Sequence, residues 1–167
     1  MMNKNMLKKI RVIAMDVDGV LTDGRIIYDG AGKELKFFDV QDGYGIARAR
    51  HEGFKTAIIS ARSSVAVKAR AKDLKFDKVY LDAHPKIDAY EQMLKFFKVK
   101  DNEVCFIGDD IPDMGILSRV GFSAAPANAS PEVKKIVDHV SICQGGRGAV
   151  REVVEKILKA QGCWSVA

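Results

Sequence analysis

Acidic side chains are concentrated after two apolar runs of the sequence. The stretch VIAMDVDGVLTDG (12–24) places Asp16 and Asp18 directly after one run, and EVCFIGDDIPD (103–113) places a second group after another: Asp109, Asp110 and Asp113. Carboxylates gathered in one place repel each other, and some would take up protons at neutral pH unless a cation lay among them. Hard oxygen ligands suit Mg²⁺, so the pattern predicts a magnesium site.

Two further polar residues follow predicted strands and could complete a phosphate site. Ser60 ends the run FKTAIIS, and Lys86 opens a helical pattern after DAHP. One aspartate could attack phosphorus as a nucleophile and a second could serve as acid and then base, while the hydroxyl and the amine hold phosphate oxygens. Each residue alone also fits a cap, a turn or a solvated surface. Their order along the chain favours phosphoryl transfer.

The elements that must position these groups alternate regularly. Apolar runs predict strands at 10–17, 54–60, 78–81, 103–109 and 121–126, and helical spacing predicts helices at 43–53, 64–74, 86–98, 111–120 and 149–161. This alternation predicts an α/β fold, a Rossmann-like doubly wound parallel sheet, in a single domain over residues 1–167. Ligands of such sheets bind beyond the carboxyl ends of the strands, where the acids lie.

One segment interrupts the alternation. GRIIYDGAGKELKFFDV (24–40) reads as two short strands around a DGAG turn, which predicts a β-hairpin inserted after the first strand. It is too small to fold as a separate cap domain over the site. Its apolar side chains favour contact with another copy of the chain. We therefore expect a capless, oligomeric protein.

Composition excludes several other classes of protein. The chain has 167 residues, 47% of them hydrophobic and 29% charged, with a net charge of +5, which is typical of a globular domain. Its cations are interleaved with acids, so we expect no nucleic-acid partner. No apolar run is long enough to span a membrane, and residues 1–9 read as a frayed N-terminus without a signal core. The cysteines fit neither a disulfide framework nor a zinc signature, which favours the reducing cytoplasm: Cys105, Cys143 and Cys163. The histidines show no spacing typical of metal ligands: His51, His84 and His139.

The ordered acidic motifs, with Ser60 and Lys86 between them, resemble those of the haloacid dehalogenase superfamily of phosphatases. The resemblance implies that Asp16 is the nucleophile and Asp18 the general acid and base. It implies that Mg²⁺ is held by Asp16, the backbone oxygen of Asp18 and Asp109. It further implies that Ser60 and Lys86 contact phosphate, and that two more acids shape the metal's surroundings: Asp110 and Asp113.

Two longer stretches, 15–46 and 145–158, resemble a small capless branch of that superfamily, which releases the sugar acid Kdo from its 8-phosphate ester for lipopolysaccharide synthesis. This resemblance implies a homotetramer whose hairpins pack at its centre. It also raises Asp42, Gly43 and Arg147 to candidate substrate contacts. Arg62 is a fourth candidate from its position near Ser60, where it could bind the substrate carboxylate or a phosphate through two hydrogen bonds. From the residues alone, Asp42 fits a helix cap, Arg62 fits a surface position, and GGRG (145–148) fits a turn. Whether Arg147 would act in its own subunit or in a neighbour's stays open.

Three alternatives to this function stay open at the level of the sequence. The same chemistry would serve a phosphatase for a nine-carbon sugar acid 9-phosphate. A phospho-acceptor receiver domain shares the sheet and an acidic site, but it carries its acceptor after the third strand, where KVYLD (78–82) has no matching group of acids. A non-catalytic subunit would be expected to lack a nucleophile or a metal ligand, and this chain keeps both.

Overall fold

A six-stranded parallel sheet forms the centre of the structure, a computed structural model that describes residues 4–165. The strands are β1 (Val12–Met15), β2 (Ile27–Tyr28), β3 (Glu34–Leu35), β4 (Lys55–Ile59), β5 (Lys78–Tyr80), β6 (Val104–Ile107), β7 (Phe122–Ala125) and β8 (His139–Val140). The sheet runs in the order β5-β4-β1-β6-β7-β8, and β2 pairs with β3 in a separate ribbon. Because β1 lies between β4 and β6, the residues that follow it lie near the middle of the sheet's carboxyl edge.

Helices cover both faces of this sheet. They are α1 (Lys4–Leu7), α2 (Val40–His51), α3 (Val65–Asp73), α4 (Lys86–Phe97), α5 (Met114–Leu117), α6 (Pro131–Ile136) and α7 (Ala149–Ala160). Successive strand residues point to opposite faces, so Ile13 and Met15 pack with α2, α3 and α7, whereas Ala14 packs with α4, α5 and α6. Both faces are therefore buried, which explains why β1 is apolar at every position.

The α/β fold with a parallel sheet is confirmed, and the differences concern short elements. The two-residue strand β8 and the six-residue helix α6 were not predicted, since neither is long enough to show a period. Residues 4–7, interpreted as part of a frayed N-terminus, form α1 with Leu7 buried, while residues 1–3 lie outside the described part. Among the residues that the structure describes, no helix is long and apolar enough to cross a membrane.

The inserted segment is a short hairpin, as expected. Its strands pair antiparallel, with Ile27 opposite Leu35 and Tyr28 opposite Glu34. The turn is closed by Asp29, whose Oδ1 accepts hydrogen bonds from the backbone N–H groups of Ala31 (2.9 Å) and Lys33 (2.8 Å). With two residues in each strand, the hairpin has no core of its own.

Candidate active site

Three carboxylates meet at the carboxyl edge of the sheet. Asp16 follows β1 directly and Asp109 follows β6, and Asp113 ends a 3₁₀ turn (Ile111–Asp113) that leads into α5. One oxygen of each lies within 4.8 Å of the others. The backbone N–H of Asp16 donates to the carbonyl of Ile107 over 3.0 Å, which continues the β1–β6 pairing up to the site. Neighbouring parallel strands therefore bring together the two acidic motifs that the sequence separates.

Lys86 supplies a buried cation between two of these acids. It is the first residue of α4 and is only 4% exposed, and its Nζ donates to Asp16 Oδ2 and to Asp113 Oδ1, each over 2.6 Å. Burial by itself lowers the pKa of the Lys86 amine, but the charges of Asp16 and Asp113 hold that pKa above its ordinary value. The amine is therefore charged at neutral pH.

The charge of Lys86 does not balance the three acids. Burial, followed by the charge of Asp113, raises the pKa of Asp16 to about 6 in spite of Lys86. Burial, followed by the charges of Asp113 and Asp16, raises the pKa of Asp109 to about 7. The site therefore favours a further cation, and clustered carboxylate oxygens fit Mg²⁺.

Both oxygens of Asp113 accept hydrogen bonds within the site. Its Oδ1 contacts Lys86, and its Oδ2 accepts the backbone N–H groups of Asp109 (3.0 Å) and of Asp110 (3.4 Å). Asp110 itself is exposed at the start of the turn. Asp113 thus holds Lys86 and the turn in place. Both oxygens of Asp16 are engaged as well, since Oδ1 accepts the backbone N–H of Val17 and Oδ2 accepts from Lys86, each over 2.6 Å.

Glycines allow this crowding. Gly19 has φ of +85°, a conformation that favours glycine, and a Cβ on it would overlap the carboxylate of Asp109. A Cβ on Gly108 would lie 2.7 Å from the carboxyl group of Asp113. A side chain at either position would push an acid out of the cluster.

The hairpin contacts the same edge through charged side chains. The Nζ of Lys36 pairs with Asp18 and, over 2.6 Å, with Glu34 Oε1, and the Lys36 side chain is only 1% exposed. Arg62 lies above both acids, with Nη2 3.2 Å from Glu34 and Nε 3.6 Å from Asp18. Sequence reasoning identified Asp18 and Arg62 but missed Glu34 and Lys36. Their two-residue spacing, which places both on one side of an extended strand, was the available signal.

Ser60 lies on this edge as well. It follows β4, the neighbour of β1, and is 3% exposed. Its backbone N–H donates to the Tyr80 carbonyl over 2.9 Å, and its Oγ accepts the backbone N–H of Arg62 over 3.3 Å. The hydroxyl hydrogen remains available to an oxygen of a bound group.

Asp42 and Gly43 lie in a contact between helices. The carboxylate of Asp42 is 1% exposed and accepts backbone hydrogen bonds from Gly148 (3.2 Å) and Arg151 (2.8 Å), at the start of α7. A Cβ on Gly43 would lie 2.4 Å from the guanidinium of Arg70, so this position allows close packing. The structure therefore gives neither residue the exposed surface expected of a substrate contact.

The GGRG turn (145–148) packs against the loop that follows Asp18. The backbone N–H of Gly146 donates to the Val20 carbonyl over 2.9 Å, and a Cβ on Gly145 would overlap the carbonyl of Gly19. Asn128 bridges the same two segments, since its Nδ2 donates to Gly19 O (3.1 Å) and its Oδ1 accepts from Gly145 N (2.6 Å). No sequence signal pointed to Asn128.

Arg147 is exposed at the tip of this turn. It borders a cavity of about 320 Å³ between the turn and the base of the hairpin, together with Arg25 and Phe37. The turn that carries it is thus held beside the loop after Asp18, and the exposed guanidinium lies close enough to Asp23 for its charge to act on that carboxylate.

Comparisons with known proteins agree with this geometry. A family model of haloacid dehalogenase-like hydrolases matches residues 79–152, which include Lys86 and the second acidic motif. The 3-deoxy-D-manno-octulosonate 8-phosphate phosphatase of Escherichia coli K12 is 39% identical over 155 residues, which cover 93% of this chain and 82% of that protein.

Two solved structures are similar over almost the whole chain. The same phosphatase from Moraxella catarrhalis, in complex with magnesium ion, phosphate ion and KDO, has a TM-score of 0.93 and 39% identity, and the match covers 95% of this chain and 91% of that one. A cobalt-bound form of the Haemophilus influenzae phosphatase has a TM-score of 0.91 and 38% identity, with coverages of 94% and 92%. The chain belongs to the haloacid dehalogenase-like hydrolases and, within them, to the family of 3-deoxy-D-manno-octulosonate 8-phosphate phosphatases. This confirms the resemblance read from the motifs and argues against a receiver domain.

Proposed function

We propose that this protein is a Mg²⁺-dependent phosphatase that hydrolyses 3-deoxy-D-manno-octulosonate 8-phosphate to Kdo and inorganic phosphate, in lipopolysaccharide synthesis. The observation that carries the proposal is the meeting of Asp16, Asp109 and Asp113 at one edge of the sheet, with Lys86 bound between Asp16 and Asp113. The substrate is supported by the family relatives, one of which was solved with magnesium, phosphate and KDO.

The reaction proceeds in two displacements at phosphorus. In the first, a carboxylate oxygen of Asp16 forms a bond to phosphorus while the bond from phosphorus to the sugar oxygen breaks, and Asp18 donates a proton to that oxygen. In the second, water attacks the aspartyl-phosphate, Asp18 takes the water's proton, and the bond from phosphorus to Asp16 breaks. Ser60 and Lys86 hold the phosphate oxygens through both steps.

Three groups of this chain would hold the metal: the carboxylates of Asp16 and Asp109 and the backbone oxygen of Asp18. When bound, Mg²⁺ would offset the negative charge of the phosphate and of the acids. Asp113 orients Lys86 by its 2.6 Å contact and fixes the start of the turn through the backbone of Asp109 and Asp110. The roles of Asp110 and Asp113 are therefore to shape the metal's surroundings.

Two exposed arginines suit the acidic part of the substrate. Arg62 reaches over Asp18, and Arg147 projects from the turn beside the same loop. A guanidinium can bind a carboxylate through two parallel hydrogen bonds, so either residue can recognise the sugar acid after its phosphate enters. Asp42 and Gly43 have no comparable free surface.

The single capless domain of residues 1–167 leaves the leaving-group side of the site open, and a homotetramer would cover it. The hairpin and its flanks expose several large apolar side chains: Ile26, Tyr28, Leu35 and Phe37. Phe37 alone is 70% exposed, which favours burial against a second copy. We place the protein in the cytoplasm, where its three free cysteines would stay reduced. Light scattering should give the mass of four chains, and a monomer at micromolar concentration would contradict the tetramer.

Phosphate release from purified protein tests the activity. We expect turnover of the eight-carbon 8-phosphate with Mg²⁺ and none after chelation, with Asp16→Asn as the inactive control. A far higher kcat/KM for a nine-carbon sugar acid 9-phosphate would move the substrate assignment to that ester. Absence of turnover on all esters, with a stable phosphoprotein formed from small phosphodonors, would overturn the proposal.

A further inference from the structure

Helix α7 begins without a capping side chain of its own. Its N-cap is Gly148, with φ of +95°, and the first backbone N–H groups of a helix have no partner within the helix. Asp42 supplies the missing acceptors from α2, because one oxygen accepts from Gly148 (3.2 Å) and the other from Arg151 (2.8 Å). A carboxylate at this end of a helix is also favoured by the helix dipole.

The residues around Asp42 fit this contact between helices. A Cβ on Gly45 would lie 3.1 Å from the Cα of Arg151, closer than helices normally tolerate. A Cβ on Gly43 would meet the Arg70 guanidinium, which itself donates to the carbonyl of Asp39 over 3.1 Å. The stretch QDGYG (41–45) is thus shaped so that α2 approaches α7 closely and Asp42 reaches its first turn.

The capped end of α7 is continuous with the GGRG turn. Gly148 is both the N-cap of α7 and the last residue of that turn. The GGRG turn also contacts the loop after Asp18, through the Gly146–Val20 hydrogen bond and the close approach of Gly145 to Gly19. A displacement of the start of α7 would therefore move Arg147 relative to the loop that carries Asp18.

We propose that Asp42 is a positioning residue: by capping α7 from a neighbouring helix, it holds the GGRG turn and Arg147 in place beside the loop that follows Asp18. Asp42 acts through the turn and contacts neither phosphate nor metal. Only the kinetic part of this inference rests on the proposed function, because the position of the turn can be measured without turnover.

Amide hydrogen exchange of the whole protein tests the structural part. In Asp42→Ala, we expect amides of residues 145–152 to exchange at least about tenfold faster, because local opening no longer breaks the two bonds to the carboxylate. Asp42→Asn keeps one acceptor oxygen and should give an intermediate increase, and it serves if the alanine variant does not fold. Asp77→Asn is the matched control: its carboxylate also accepts a backbone N–H, from Thr56 over 2.9 Å, at the opposite, amino edge of the sheet.

Two results would overturn the proposal at this stage. Unchanged exchange at 145–152 in both Asp42 variants would show that the cap does not hold the turn. A uniform increase across all elements would show that Asp42 only stabilises the whole fold.

Kinetics on the eight-carbon ester test the functional part. We expect Asp42→Ala to raise KM at least about fivefold, and to add little in an Arg147→Ala background, since coupled residues are not additive. The same fold-change in both backgrounds would show that Asp42 does not act through Arg147. If no sugar acid ester is hydrolysed, the proposed function fails, while the exchange result still decides whether Asp42 holds the turn.

Discussion

Acidic side chains lie at both edges of the sheet, and the two edges hold them in different ways. At the amino edge each acid faces donors. Asp77 accepts the backbone N–H (2.9 Å) and the hydroxyl (3.2 Å) of Thr56, and Asp138 accepts the same two groups of Ser123, each over 2.9 Å. A carboxylate with two donors is satisfied, so these acids contribute to stability.

At the carboxyl edge the acids face one another. Asp16 and Asp113 share the amine of Lys86 and Asp109 lies beside them, and the pKa values of Asp16 and Asp109 are raised to about 6 and about 7. Such crowding opposes folding unless a cation relieves it, and perturbed acids of this kind are typical of active sites. The acids at the amino edge therefore stabilise the sheet, whereas the crowded acids at the carboxyl edge are arranged to bind a ligand.

The largest expected difference in kcat between an acid at the carboxyl edge and one at the amino edge is that between Asp16→Asn and Asp77→Asn. Without the nucleophilic carboxylate, kcat should fall by about a thousandfold or more, because covalent catalysis has no substitute path. Asp77→Asn should lower the melting temperature and leave kcat within about twofold, as it removes the negative charge and one acceptor oxygen at a position away from the site. Steady-state kinetics and thermal melts check both, and substantial activity in Asp16→Asn would refute its role.

Lys86→Ala should affect both activity and stability. Loss of the amine that contacts Asp16 and Asp113 should lower kcat/KM by about a hundredfold, and an unpaired buried charge typically costs about 3–5 kcal/mol. Lys55, an exposed lysine 3.4 Å from Asp77, is the matched control. Its alanine variant should change the free energy of unfolding by less than about 1 kcal/mol. An unchanged kcat/KM in Lys86→Ala would remove that residue from the site.

Asp138→Ala isolates the contribution of an amino-edge acid. It leaves the N–H and hydroxyl of Ser123 without their acceptor, so the free energy of unfolding should fall by about 1–3 kcal/mol. Urea titrations measure this loss, and kcat should match that of the wild type. A lower kcat at unchanged stability would mean that the two edges are not separate in function.

Glu152 extends the comparison to an acid at the start of α7. Burial acts to raise its pKa, but hydrogen bonds from Ser141 (2.6 Å) and the backbone of Ile142 (3.0 Å), with His139 at 2.9 Å, hold that pKa below its usual value of 4.5. Because the folded pKa is lowered, the stabilisation is present above pH 4.5 and is lost as the pH falls through the folded pKa.

Glu152→Gln should therefore cost about 1 kcal/mol at pH 7. The difference from wild type should shrink as the pH falls below 4.5, the ordinary pKa of this group. Urea titrations at several pH values measure it. A constant difference at all pH values would show that the charge of Glu152 is unimportant.

The parts of the site that follow regular elements could be predicted from the sequence. Asp16 and Ser60 come directly after strands and Asp109 comes one residue later, and parallel strands bring their carboxyl ends to one edge. Lys86 could be placed because it begins a helix with clear apolar spacing. These predictions needed only the order of the elements.

The contacts between distant side chains could not be predicted. Asp42 lies in the first turn of α2 and fits the cap of that helix, yet Asp39 caps α2 and Asp42 caps a helix that begins more than a hundred residues later. The pairing of Lys36 with Asp18 depends on how the hairpin folds back, and local sequence does not encode that direction. Such contacts depend on tertiary packing.

The contact between the GGRG turn and the loop after Asp18 has a consequence for biosynthesis. Asn128 and Gly19, which help to join the two segments, are 109 positions apart. Bringing them together must await translation beyond residue 128, and contacts of such long range form slowly. In a nascent chain in which β1 to β6 have already paired, Asp16 and Asp109 would lie together, but the GGRG turn would not yet contact the loop after Asp18. The loop after Asp18 should therefore gain this brace only after residues 128 and 145–148 have left the ribosome.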